Sequence, residues 1–222
     1  MSAVSEYHPV EKIGENKSQT YDWFEPLYAQ AEGDAAQIPW SMTGAVPYLT
    51  QWLSQAARNS EGRRAVVVGC GLGDDAEAIA AAGFEVTAFD VSERAIAWAK
   101  QRFPDSSVNY VSADLFNVPA EWQGAFDLVF DFRTIQALPL SVREEVIEKI
   151  TALGAPGSTV LIATYLREAD SDPGDRPPWP LTLEELSHFE KVGLEVVKRW
   201  DFSKKDSRFG DRTLVEYLVP TS

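Results

Sequence analysis

Residues Ala65–Asp90, AVVVGCGLGDDAEAIAAAGFEVTAFD, decide the fold. The apolar run Ala65–Val68 breaks into a loop with glycines at 69, 71 and 73, a helix-like stretch follows, and a second apolar run ends in Asp90. That order is a strand, a tight glycine turn, a helix and a second strand, closing on an acid suited to the hydroxyls of a ribose.

The fingerprint for dinucleotides is G-x-G-x-x-G, in which a helix N-terminus receives a pyrophosphate. Here the loop is G-x-G-x-G, followed at once by Asp74 and Asp75. Two carboxylates suit the positive end of a helix dipole but repel a pyrophosphate docked there. A nucleoside ligand without phosphate fits better, and S-adenosylmethionine, an adenosine carrying a sulfonium cation, is such a ligand. A nicotinamide-dependent dehydrogenase shares the strand–glycine–helix start; the same two acids and the missing glycine at position 74 disfavour it.

At 222 residues, with 45% hydrophobic and 24% charged residues, the chain has the size and composition of one large α/β domain. A net charge of −14 opposes nucleic-acid binding through phosphates and docking on an anionic membrane, so neither partner is expected. The single cysteine, Cys70, permits no intramolecular disulfide and no multi-cysteine metal site; no metal is expected, and the thiol reads as a small packing residue of the loop. Nothing resembles a signal peptide or a membrane span, so a cytoplasmic protein is expected, working as a monomer or weak dimer. Without a secretion signal, Asn16-Lys17-Ser18 reads as a chance glycosylation sequon.

Residues 1–20 are polar and aperiodic and read as a flexible arm before a single domain spanning 21–222. Residues 21–60 form an aromatic N-terminal cover with Tyr21, Trp23, Phe24, Tyr28, Trp40, Tyr48 and Trp52, broken by Pro26, Pro39 and Pro47. Ser92 is placed to cap a helix running to about Phe103. Ser107–Val111 is a short strand, Phe126–Asp131 (FDLVFD) a buried one, Ser141–Leu153 a helix, and Leu153–Gly157 a turn into the strand Thr159–Tyr165. Residues 166–181, rich in Pro, Asp and Gly, are an insertion and a candidate lid. Thr182 starts a helix ending at Gly193, and strands near Leu194–Phe202 and Arg212–Val219, joined by a charged loop, close the chain. Strands alternating with helices make a mostly parallel sheet with helices on both faces, and the final pair, lacking a helix between them, must be antiparallel. Gly69–Gly73, Asp90, Asp114 and Asp131 all fall at carboxyl ends of strands, where such sheets bind ligands.

These residues resemble the class I S-adenosylmethionine-dependent methyltransferases over roughly Tyr21–Val219. The resemblance implies a Rossmann-like seven-stranded sheet with an antiparallel last strand. It implies that Gly69, Cys70, Gly71 and Gly73 face the donor's methionine part and ribose, that Asp90 takes both ribose hydroxyls, and that Asp114 bonds the adenine amino group with Val91 and Leu115 against the ring. Asp131 would lie near the methionine amino group. A narrower likeness is to the thiopurine S-methyltransferase-like branch, which includes thiol and halide methyltransferases: Pro39-Trp40, GCGLGDD with Asp75 at the matching position, FDLVFD, and the run Arg176-Pro-Pro-Trp-Pro180. Val68 and Phe132 depart from that pattern, which has a proline before the loop and, in plant enzymes, a tyrosine after the FD strand.

Methyl transfer from a sulfonium is an in-line displacement in which positioning and exclusion of water do most of the work. Trp40, with Trp23 or Tyr28, is expected to cover the donor, because aromatic faces stabilise a cation by about 0.5–2 kcal/mol per contact. Phe132, Arg133 and Gln136 are expected on the acceptor side with Tyr28, and Trp179 in the lid. A thiolate needs no general base, and His8 and His188 are poorly placed to be one; Tyr165 or Asp131 is the nearest option. The expected activity is methyl transfer to a small soluble nucleophile, sulfur first, with oxygen or nitrogen as alternatives and a non-catalytic cofactor-binding protein as the reading from another class.

Overall fold

The computed structural model describes residues 23–31, 33–38, 40–41, 44–56, 60–175, 177–202 and 211–221. The arm with His8 and the sequon, Tyr21, Pro39, Arg176 and the loop 203–210 lie outside the described residues.

Seven strands form one sheet: β1 (Arg64–Val68), β2 (Glu85–Asp90), β3 (Asn109–Ser112), β4 (Phe126–Phe132), β5 (Gly154–Tyr165), β6 (Glu195–Phe202) and β7 (Arg212–Leu218). Their spatial order is β3-β2-β1-β4-β5-β7-β6; β1 to β5 are parallel, and β7 lies antiparallel between β5 and β6. The expected mostly parallel sheet with an antiparallel last strand is what forms. The order reverses at β1, so the crevice above the carboxyl ends of β1 and β4 is the switch point where a ligand fits.

Because side chains alternate along a strand, β1 sends Ala65 and Val67 to one face and Val66 and Val68 to the other. The first face is covered by α2 (Pro47–Ala56), α3 (Asp74–Ala81) and α4 (Glu93–Arg102) through Leu49, Trp52, Ile79 and Ile96. On the second, α5 (Thr134–Ala137), α6 (Arg143–Thr151), α7 (Leu183–Leu186) and α8 (His188–Lys191) place Ile135, Val146, Ile147, Ile150, Leu186 and Phe189. Burying each such aliphatic or aromatic side chain is worth about 1.5–3 kcal/mol. A third cluster, Tyr28, Ala31, Ile38, Leu72 and Ala95, seats α1 (Phe24–Gln30) and the segment after it over the strand ends. None of the described helices is long and apolar enough to cross a membrane.

Local boundaries differ from expectation where tertiary pairing intervenes. Gly154 is drawn out of the expected turn into β5 by pairing with Phe126. The helix expected over 141–153 opens with a tight turn, Leu140–Val142, before α6 begins. The helix after Thr182 divides at Ser187, whose hydroxyl donates to the Glu184 carbonyl and competes with the helical ladder. Thr182 nevertheless starts it with a reciprocal capping box to Glu185.

Candidate active site

The carboxyl ends of the strands and a roof that includes α1, Trp40 and Val46 line a cavity of about 350 Å3. Its floor is the glycine loop. Gly69 has φ +58°, and a Cβ there would stand 2.3 Å from Thr134 Oγ1, so only glycine lets β1 turn under α5. A Cβ on Gly71 would come within 3.2 Å of Tyr28 Oη, inside the cavity. Backbone is thereby exposed to a ligand at Gly69, Gly71 and Gly73, with Cys70 between them lining the same wall. Burial, with Asp90 adding to it, pushes the Cys70 thiol well above its usual range, in keeping with the packing role expected of it.

Asp90, at the end of β2, is 8% exposed; its Oδ2 accepts the Gly71 N–H and its Oδ1 the Ser92 N–H, both at 2.9 Å. Burial holds its pKa above the usual carboxylate range, and the two N–H groups oppose that. Each oxygen keeps a second lone pair, which is what a vicinal pair of ribose hydroxyls requires. Val91 lines the wall beside it. Asp114 caps the tight turn Leu115–Asn117 by accepting the Phe116 N–H, and Leu115 and Phe116 line the cavity with it. Phe116 was not expected there; its proximity follows from that turn, which the sequence of the segment does not announce. Glycine loop, two acids and apolar faces together suit an adenosine carrying an uncharged or cationic tail.

The roof is an aromatic cage. Trp40 donates its indole N–H to Tyr28 Oη at 2.9 Å, and its ring meets Trp23, Phe24 and Tyr28 edge-on at 5.7, 5.7 and 5.8 Å. Among the described residues, polar ties fasten it to the body: Glu25 to Ser92 and Arg94, the Val46 N–H to Asp75 at 2.9 Å, and Arg133 to the Trp40 carbonyl at 2.8 Å. Phe132, Arg133, Gln136 and Tyr165 line the opposite wall. Arg133 is in the left-handed region at φ +76°, a conformation a non-glycine residue adopts at a cost of order 1–3 kcal/mol and that gathers at functional turns. Its guanidinium lies 4.3 Å from the Phe132 ring centroid and donates to Tyr165 Oη at 3.1 Å.

Two expected site residues are elsewhere. Asp131 faces away from the cavity, because alternation along β4 sends Phe130 and Phe132 toward α2 and Asp131 beneath α5. It is fully buried, and burial pushes its pKa up to about 7, while the Thr134 hydroxyl and the Thr134 and Ile135 N–H groups of α5 oppose that. Trp179 is an anchor and not a lid residue: it is 7% exposed, its indole N–H donates to the Gly174 carbonyl, and its backbone is held by Gln136 and Arg143. Its neighbours Pro177 and Pro178 reach the cavity instead. Gln136 is a hub: its Oε1 accepts Thr164 Oγ1–H at 2.8 Å and the Tyr165 N–H at 2.9 Å.

The paired acids after the loop also divide. Asp74 turns to Arg102 in a bidentate pair at 2.6 and 2.9 Å, so its charge is largely met. The repulsion of a phosphate therefore rests on Asp75 and Asp90.

The sequence model of the family Thiopurine S-methyltransferase (TPMT) matches residues 30–217. Probable thiol methyltransferase 2 of Arabidopsis thaliana is 28% identical over 174 residues, 74% of this chain and 72% of the plant protein. The ubiquinone biosynthesis O-methyltransferase of Bordetella avium (strain 197N) is 30% identical over 127 residues, 56% of this chain and 52% of that enzyme, so the match spans about half the length of that relative. Among solved structures, the 1,6-didemethyltoxoflavin-N1-methyltransferase of Burkholderia thailandensis, with 1,6-didemethyltoxoflavin and S-adenosylhomocysteine bound, has a TM-score of 0.72 at 16% identity, covering 96% of this chain and 94% of that one, a likeness of fold.

Proposed function

Since the chain belongs to the thiopurine S-methyltransferase family, a family of S-adenosylmethionine-dependent methyltransferases, we propose that it methylates the sulfur of a small acceptor that binds as a thiolate. The observation that carries the sulfur reading is Arg133, the one cationic side chain lining the cavity among the described residues, set between Phe132 and Tyr165. A cation within an aromatic wall favours an anionic nucleophile and lowers the pKa of a thiol brought beside it. When bound, the sulfonium supplies an activated methyl group. Gly69–Gly73 and Asp90 would hold the donor's ribose and chain, and Asp114 with Leu115 and Val91 its adenine. Trp40, Tyr28 and Trp23, which line the cavity, would exclude water from the bound donor. Phe132, Arg133 and the prolines 177 and 178 would orient the acceptor opposite the leaving sulfur.

Attack by the thiolate forms one C–S bond as another breaks, and an anion and a cation become two neutral thioethers. A dry, apolar cavity favours that change, because the transition state carries less charge than the separated ions. Tyr165, hydrogen-bonded by Arg133 on the same wall, would relay the proton if the acceptor enters as a thiol.

The likeness to an O-methyltransferase supports a second reading, a phenolic acceptor. Incubation with methyl-labelled S-adenosylmethionine and a panel of thiols, halides, phenols and amines separates them. Label is expected to appear fastest on aromatic or aliphatic thiols. Faster labelling of phenols or amines would replace the sulfur reading, and donor binding without transfer to any class would replace catalysis by a binding role.

A further inference from the structure

We propose that Asp75 receives the ammonium group of the donor's methionine part, the role expected of Asp131. The assignment rests on the methyl-donor reading above. Asp131 is sealed under α5 and meets no ligand in the cavity. Of the four carboxylates lining the cavity among the described residues, Asp74 is held bidentately by Arg102, Asp90 has both oxygens on backbone N–H groups, and Asp114 closes its own turn. Asp75 differs. Its Oδ1 is fixed by the Val46 N–H, while its Oδ2 takes no hydrogen bond among the described residues.

The second residue of α3, Asp75 follows the N-cap Gly73 by two positions and lines the cavity with Gly71 and Gly73, on the wall the donor's amino-acid chain would follow. Burial raises its pKa to about 6 and Asp74 adds to this, while the Val46 N–H and Arg133 work against it. Asp75 is thus a carboxylate whose orientation is set through Oδ1 by the Val46 N–H, with Oδ2 left for another donor. An ammonium against Oδ2 supplies the missing positive charge and a charge-assisted hydrogen bond. The Val46 tie gives the contact a second consequence: a donor bound to Asp75 braces the roof segment that covers it.

The test is calorimetric titration of the full chain with two probes. S-adenosylhomocysteine carries the amino-acid part; 5′-methylthioadenosine has the same adenosine and thioether but no ammonium. Asp75→Asn is expected to weaken S-adenosylhomocysteine by about tenfold or more, as for one lost charged hydrogen bond, and to leave 5′-methylthioadenosine within about twofold. Retained binding of the second probe also shows that the variant is folded. Equal losses for both probes, or unchanged affinity for S-adenosylhomocysteine, would overturn the assignment. Failure of the unaltered protein to bind either probe would instead sink the methyl-donor reading on which it stands.

Discussion

Asp90 and Asp131 end neighbouring stretches of apolar sequence in the same way, and the fold gives them opposite surroundings. Asp90 opens onto the cavity with two backbone donors already in place. Asp90→Ala is expected to weaken S-adenosylhomocysteine binding by about 1.5–3 kcal/mol, the cost of losing charged hydrogen bonds, measured by calorimetry. Asp131 is a buried acid whose folded pKa, about 7, lies above its unfolded value. The protonated form is therefore favoured by folding: its contribution is fully present below the unfolded pKa and is lost as the pH rises through the folded one. Asp131→Asn is expected to remove this dependence, so that wild type loses stability relative to the variant from roughly pH 4 to pH 7 by up to about 1.4 kcal/mol per pH unit, and the two run parallel above that. Urea melts across that range check it; parallel curves throughout would mean that the acid is ionised at little cost.

At the scale of elements, the joints between strands and helices carry the site. Ser92 caps α4 by accepting the Ala95 N–H at 3.1 Å, bonds Asp90 through its own N–H, and donates from its hydroxyl to Glu25 in α1. Ser92→Ala is expected to cost about 0.5–2 kcal/mol in chemical denaturation and to speed hydrogen exchange in α1. If exchange there is unchanged, the Ser92–Glu25 bond adds little to the aromatic packing and the remaining ties through Arg94, Val46 and Trp40. This joint was legible, since a serine after a strand-ending acid and before an amphipathic stretch is a cap signal. The turn at Arg133 was not, because an arginine at positive φ follows from the packing of Thr134 against Gly69 and carries no local mark.

For the whole molecule, distant segments meet to close the cavity: the roof from the N-terminal region, the walls from β4 and β5, and the prolines from the segment before α7. Arg143, 2% exposed, holds that last segment through Glu185 and the Trp179 carbonyl. Arg143→Met is expected to cost about 1–3 kcal/mol of stability, because the Trp179 carbonyl loses its donor and Glu185 loses one of its two cationic partners, Arg167 remaining. It should raise KM for the acceptor more than the Kd for S-adenosylhomocysteine, since Pro177 and Pro178 shift while the glycine loop does not. Steady-state kinetics with binding titrations distinguish the two; equal effects would mean that the segment supports the donor as well.

Sequence alone determined the sheet, its parallel order with an antiparallel close, the glycine loop, and the acids at strand ends, because each rests on local signals: apolar runs, glycine spacing and capping residues. Tertiary structure decided which acids line the cavity. A strand's alternation turned Asp131 under a helix, an arginine ten residues past the cap turned Asp74 aside, and the tie to Val46 left Asp75 on the wall. The glycine loop therefore announces a donor site in one dimension. The charges that would grip the donor are chosen in three, where burial and the partners met across the fold set what each carboxylate can do.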